Sequence, residues 1–326
     1  MICSSLVISD ICHVISRVEI QVRLIYNEAK RYSLMILSIA VAAKGECLFD
    51  EFFQKMETNG VDKYIDIEIV VAHDVKLPSD INQGPNIKYI NCIPETSILK
   101  LWGQAIAHSS GKYVAVLDVK CPPSSGWLVR VLNEINEDNN LFFGTVNPPL
   151  LINATILGYI TEYAQFCSPI REGMDEVPGN NIVCKRELMD SDERLINDGF
   201  LKTFMVWRLE REEGIKPEKF NDMIIKYNKN FQYRQYMARR FTHGRCFAAT
   251  RLRVQNQHNR MLYICMTPTL PILRIWRIYK AARRSRKLRI AFLRCFYAVL
   301  HSEIAWSCGE FMGYTFGENH TCSRLN

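Results

Sequence analysis

Two carboxylates stand where apolar runs end. Asp74 closes IDIEIVVAHD, and Asp118 closes KYVAVLD before the chain breaks on Pro122 and Pro123. A carboxylate at the end of a buried strand carries a desolvation cost unless something pairs with it. Its oxygens suit a divalent cation or a nucleotide. Lys120 follows Asp118 by two positions. Further along, PGNNIVCKREL offers the amides of Asn180 and Asn181. FTHGRCFAATR offers His243 and the guanidinium of Arg245, whose planar fork matches phosphate geometry.

The elements that must position these groups can be read from periodicity. SLMILSIAV (33–41), IDIEIVVAHD (65–74), NIKYINC (86–92) and KYVAVLD read as buried strands. Phe49, Phe52, Phe53 and Met56, with Leu48, form one helical face. Ile98, Leu101, Trp102, Ala105 and Ile106 form a second, and Trp127, Leu128, Val131, Leu132 and Ile135 a third. Strand–helix alternation of this kind predicts an α/β fold: a mostly parallel, doubly wound, Rossmann-like sheet. Ligands of such sheets bind outside the carboxyl ends of the strands, where Asp74 and Asp118 fall. Beyond about residue 140 the pattern predicts a further strand and a crossing segment. A turn and strand follow at 178–188, then a helix carrying Leu201, Phe204, Met205, Arg208 and Leu209 that stops at Gly214. A single helix is expected from about 272 to 300. The organisation expected is an N-terminal extension (1–32), one catalytic-type domain (33–255) and a basic amphipathic helical tail (256–326).

Charge is divided sharply. Residues 1–222 carry 22 Lys and Arg against 31 Asp and Glu, whereas residues 223–302 carry 18 Lys and Arg and no acid. Such a stretch suits phosphate on nucleic acid, anionic lipid or a substrate. Trp276, Ile275 and Tyr279 interleave with Arg274, Arg277, Lys280, Arg283, Arg284, Arg286, Lys287 and Arg289, a pattern suited to a membrane surface. No nucleic-acid motif accompanies it, and no window reaches the ~18 uncharged apolar residues of a spanning helix. The twelve cysteines lack zinc-ligand spacing and read mostly as reduced thiols. The opening MICSSLVISDICHV is a poor secretory signal, so a cytoplasmic protein peripheral on the membrane is expected.

In order and spacing, four stretches and a C-terminal tail resemble the nucleotide-sugar glycosyltransferases of family two. AIAHSSGKYVAVLD resembles the helix, glycine and strand leading to the D-x-D motif, and CPPSSGWL its continuation. EVPGNNIVCKREL resembles the acceptor-side strand. FTHGRCFAATR and AWSCGEFMGYTFG resemble segments of membrane-associated members. The resemblance covers residues 33–317. It implies a glycosyltransferase A-type fold and an inverting sugar transfer from a nucleotide-sugar donor to a lipid-linked or polysaccharide acceptor. It further implies donor contacts from Asp74, Asp118, Lys120 and Arg245, with Mg²⁺ or Mn²⁺ on Asp118. Acceptor contacts are implied for Asn180, Asn181, Trp127 and His243, with core packing competing for Trp127.

The chain departs from that pattern twice. Where the second D-x-D acid is expected stands Lys120, which can partly replace the cation's charge. Where an acidic pair is expected before Arg208-Leu209 stand Lys202, Thr203, Phe204 and Met205. Asp198 is the nearest upstream acid and the assigned base, with Asp192 and Glu193 as further candidates. The alternative that follows is a catalytically inactive, glycosyltransferase-like binding or scaffold protein.

Overall fold

The computed structural model describes residues 35–45, 49–78, 81, 84–149, 155–174, 176–190, 196–197, 199–255 and 259–317. The N-terminal extension and Glu46, Leu48, Asp192, Glu193 and Asp198 lie outside them.

The first half forms as its periodicity predicts. β1 (Leu37–Ala43), β2 (Ile67–His73) and β4 (Tyr113–Asp118) are buried along their whole length, because both faces of the sheet are covered. β3 (Ile87–Asn91) lies outside them and is half-buried. α1 (Phe49–Thr58) buries Phe49, Phe52, Phe53 and Met56. α2 (Ile98–Ala107) is capped by the Ser97 hydroxyl, which accepts from the Lys100 N–H at 3.2 Å. α3 (Trp127–Asn136) buries Trp127, Leu128, Val131 and Ile135.

The seven strands run in the order β3-β2-β1-β4-β6-β5-β7. β1 pairs in parallel with β2 and β4, and β2 with β3. The chain therefore winds outward from β1 to β3, then returns to lay β4 on the other side of β1. Strand order reverses between β1 and β4, and sheets of this kind bind ligands at the carboxyl ends of such a pair. β5 (Leu141–Asn147) and β7 (Glu218–Lys226) are parallel to each other, while β6 (Ile182–Lys185) inserts antiparallel between β4 and β5. The sheet is thus mixed but mostly parallel, as expected for the α/β class.

α4 (Thr155–Glu162) follows β5, α5 (Arg186–Asp190) follows β6, and α6 (Lys202–Arg208) is extended by a wider turn over Leu209–Glu213. Gly214 ends it in the left-handed region, at φ 69°. α7 (Tyr233–Gln255) then begins the helical half.

The single helix expected over 272–300 is instead three pieces. α8 (Arg260–Met266) leads into α9 (Leu270–Ala282). The chain turns at Arg283–Ser285 into α10 (Arg286–Arg294), and again at Cys295 into α11 (Phe296–Phe316). At the break the Arg284 and Ser285 N–H groups donate to the Ala281 and Ala282 carbonyls in a tight turn, and Ile278, Ala281 and Ala282 of α9 and Leu288, Ala291 and Phe292 of α10 are buried on either side of it.

α11 packs back along α7 at unusually close range. A Cβ on Gly309 would collide with the Phe241 carbonyl, one on Gly313 with that of Arg245, and one on Gly244 with that of Trp306. The two glycine-bearing motifs, FTHGRCFAATR and AWSCGEFMGYTFG, are the two sides of this one crossing. Residues beyond 255 therefore share a core with α7. Cys92, Cys121, Cys167, Cys184, Cys265, Cys295 and Cys308 are reduced thiols outside any disulfide, and Cys246 on α7 is disulfide-bonded.

Candidate functional site

At the carboxyl ends of β1, β2 and β4 the charged groups form a row. Lys44, one residue past β1, donates to Asp74 at 2.9 Å and to the Thr96 carbonyl at 2.6 Å. Asp118 ends β4. Its Oδ1 accepts the Lys120 backbone N–H at 2.9 Å, and its Oδ2 takes the Lys229 ammonium at 2.6 Å, with both side chains only 4% exposed. Lys229 comes from the loop after β7 and lies 5.8 Å from the ring centres of both Trp102 and Tyr163. Burial alone would depress its pKa, but the Asp118 carboxylate more than offsets this and holds it well above the ordinary lysine value. The Lys120 ammonium leans across the end of β1, 3.8 Å from where a Cβ on Gly45 would lie. Among the described residues that ammonium has no carboxylate partner.

This donor set does not fit a divalent cation. Both oxygens of Asp118 are engaged, the second D-x-D position is an ammonium, and the described residues contain no cluster of three or more His, Cys, Asp and Glu side chains. A metal here would have to displace the buried Lys229 ammonium from Asp118.

Behind Trp102 and Tyr163 lies a cavity of about 580 Å³ between the sheet and the helical half. Trp102 is fixed by its Nε1, which donates to the Leu117 carbonyl at 2.7 Å. Across from it Trp306 is held between two guanidinium groups, with Arg240 and Arg274 each 4.4 Å from its ring centre. Glu303 binds both arginines, Arg240 at 2.8 Å and Arg274 at 2.5 Å. The Trp306 Nε1 donates to Glu310, which also accepts from the Tyr314 hydroxyl at 3.1 Å. Glu162 pairs with Arg239 at 3.3 Å. Burial pushes the Glu162 carboxyl up, but Arg239 and Arg240 outweigh it and bring its pKa down to about 2.

The residues singled out from sequence distribute unevenly over this geometry. Asp74, Asp118 and Lys120 converge on the sheet edge. His243 lines the cavity with its ring centre 4.7 Å from that of Trp306. Burial, reinforced by Arg240, Arg239 and Lys202, lowers its pKa to about 3, so it is neutral at physiological pH.

Trp127 and Asn181, expected at the acceptor, sit inside the sheet. The Asn181 Oδ1 accepts the Trp127 Nε1 at 2.8 Å, and its Nδ2 donates to the carbonyls of Thr145 and Met223. The Trp127 indole N–H and both Asn181 amide hydrogens are thus engaged. Asn181 ties α3, β5 and β7 together from a left-handed backbone, φ 68°. Asn180 is fully buried beside the Cys121 thiol. Arg245, expected on phosphate, instead donates through Nε to the Gly317 carbonyl at 2.9 Å and closes the end of α11. Asp198 lies outside the described residues.

Sequence reading missed Lys229, Lys202, Glu162, Arg239, Arg240 and Trp306. The signal available for the cations was the acid-free stretch itself. Among the described residues, five of its lysines and arginines are counterions for acids elsewhere in the chain: Lys229 for Asp118, Arg239 for Glu162, Arg277 for Glu176, and Arg240 and Arg274 for Glu303.

No known protein family matches the chain, and no curated protein does. Solved structures with a similar arrangement include S. aureus TarS 1–349, at TM-score 0.41 and 11% identity over 85% of this chain and 91% of that one. The same fragment in complex with UDP-GlcNAc gives TM-score 0.45 at 11% identity, with the same coverage. A longer S. aureus TarS structure gives 0.42 at 11% identity, over 85% of this chain and 55% of that one. Likeness at this level carries no argument about function.

Proposed function

We propose that the protein binds a nucleotide-sugar at the carboxyl edge of its sheet and transfers the sugar to an acceptor entering from the cavity side. The observation that carries this reading is the charged row at the β1/β4 reversal. There the Lys44–Asp74 and Asp118–Lys229 pairs flank the ammonium of Lys120, which has no carboxylate partner among the described residues. Asp74 suits the hydroxyl groups of a nucleoside. Lys120, supported by Lys229, faces the diphosphate, where leaving-group charge develops. Lysines thereby take the part that a divalent cation plays in the resembled family. Asp198 remains the proposed base.

The exposed face of the helical half supports a membrane-surface location. α9 presents Ile272, Trp276 and Tyr279 at i, i+4 and i+7, and α10 presents Leu293 beside Arg286, Arg289 and Arg294. No helix among the described residues is long and apolar enough to cross a membrane. The test is transfer or hydrolysis across a panel of UDP- and GDP-sugars, run with EDTA and with Mg²⁺ or Mn²⁺. Turnover that persists in EDTA supports the reading. Nucleotide binding without turnover in any condition supports the inactive, scaffold-type alternative, which the loss of the acidic pair before Arg208 favours.

A further inference from the structure

We propose that the 580 Å³ cavity binds an anionic amphiphile, a phosphate group carried on an apolar chain, and that Lys202 holds the phosphate. This extends the donor reading above to the acceptor and rests on it for the acceptor's role, though not for the binding itself.

Three observations point to such a ligand. The first is charge. The cations Lys202, Arg239, Arg240, Arg251, Arg274 and Arg277 line the cavity, against the carboxylates Glu162, Glu176 and Glu310. Glu162 pairs with Arg239, Glu176 with Arg277, and Glu303 behind the wall binds both Arg240 and Arg274, whereas Lys202 has no carboxylate partner among the described residues. Its ammonium stands in a partly enclosed space, where it attracts an anion more strongly than at an open surface.

The second is unmet bonding capacity. The Lys202 ammonium, on the wall of the cavity, makes no hydrogen bond or ion pair among the described residues. A phosphate supplies several acceptor oxygens and is a usual partner of such donors. Burial pulls the Lys202 pKa down to about 7, against the opposing pull of Glu176 and Glu162. An anion at this point would restore its charge.

The third is the wall and the mouth. Trp102, Trp207, Trp306 and Phe247 give the cavity flat apolar sides. Leu273 and Trp276 line it too, yet are 48% and 59% exposed, so they form an apolar lip. That lip continues into the Ile272–Trp276–Tyr279 stripe of α9. A chain leaving the cavity would run directly onto the surface that faces lipid.

Four of the five tryptophans line this cavity, so tryptophan emission reports on its occupancy. The full chain is titrated with geranyl phosphate, geraniol and inorganic phosphate. Geranyl phosphate is expected to give a saturable change, with geraniol and inorganic phosphate each weaker by about tenfold or more. Lys202→Met is expected to weaken geranyl phosphate by about tenfold and leave geraniol unchanged, while Lys202→Arg retains binding. Circular dichroism melts establish that both variants fold. Equal binding of all three ligands, the absence of a saturable change, or indifference to Lys202→Met would overturn the proposal. UDP affinity, measured on the same samples, separates the two readings. Loss of geranyl phosphate binding with UDP binding intact sinks the cavity assignment alone. Absent UDP binding with geranyl phosphate retained sinks the donor edge alone.

Discussion

The Asp118–Lys229 contact joins stability and chemistry in two atoms. Lys229→Met leaves a carboxylate buried without its counterion, and breaking one side of such a pair costs about 3–5 kcal/mol. Denaturant unfolding of Lys229→Met against wild type measures this, and the double variant Asp118→Asn/Lys229→Met should recover part of the loss. Trp127 makes the opposite prediction for function. Its indole is spent on Asn181, so Trp127→Phe should lower stability by about 1 kcal/mol while leaving the Michaelis constants for donor and acceptor unchanged. A selective rise in the acceptor constant would return Trp127 to the site. Glu162 carries a pH signature. Its pKa lies near 2 when folded, below the ordinary 4.5, so its contribution is complete above 4.5 and lost as pH falls towards 2. In thermal melts the gap between wild type and Glu162→Gln should be widest near neutrality and should close across that acidic window.

Among the elements, the α7–α11 crossing depends on Gly244, Gly309 and Gly313, where backbone of one helix meets backbone of the other. Gly309→Ala forces a methyl against the Phe241 carbonyl and should destabilise by about 1–3 kcal/mol, read as a lowered denaturation midpoint. The same crossing shows what sequence can and cannot convey. The strands β1, β2 and β4 and the helices α1 to α3 were legible because each buries a face whose period is set locally. That FTHGR and GEFMGY lie against each other was not legible, because a glycine contact leaves no periodic trace. The break at Arg283–Ser285 was not legible either, because the basic run continues through it unchanged and the buried positions on both sides keep one helical period. At the site, Asp74 and Asp118 could be placed by the strand-end rule. Lys229 could not, since it pairs with an acid more than a hundred residues earlier and follows a strand that gives no hint of its register.

For the whole molecule, folding joins the two halves of the charge division at a few buried ion pairs. Acids of the sheet half and of α11 are met by the acid-free stretch, leaving Arg283, Arg286, Arg289 and Arg294 exposed on the helical face. These should bind vesicles containing anionic lipid, with binding falling as salt rises, and not neutral vesicles. Charge reversal at Arg286 and Arg289 should abolish sedimentation with anionic vesicles and leave folding unchanged. The central claim is a nucleotide-sugar edge in which lysines stand where a cation is expected. Calorimetric titration of UDP in EDTA, then with Mg²⁺ or Mn²⁺, tests it most directly. The account predicts binding in EDTA that added metal does not strengthen and that Lys120→Ala weakens by about tenfold. UDP binding that requires the metal, or no binding in either condition, would contradict it.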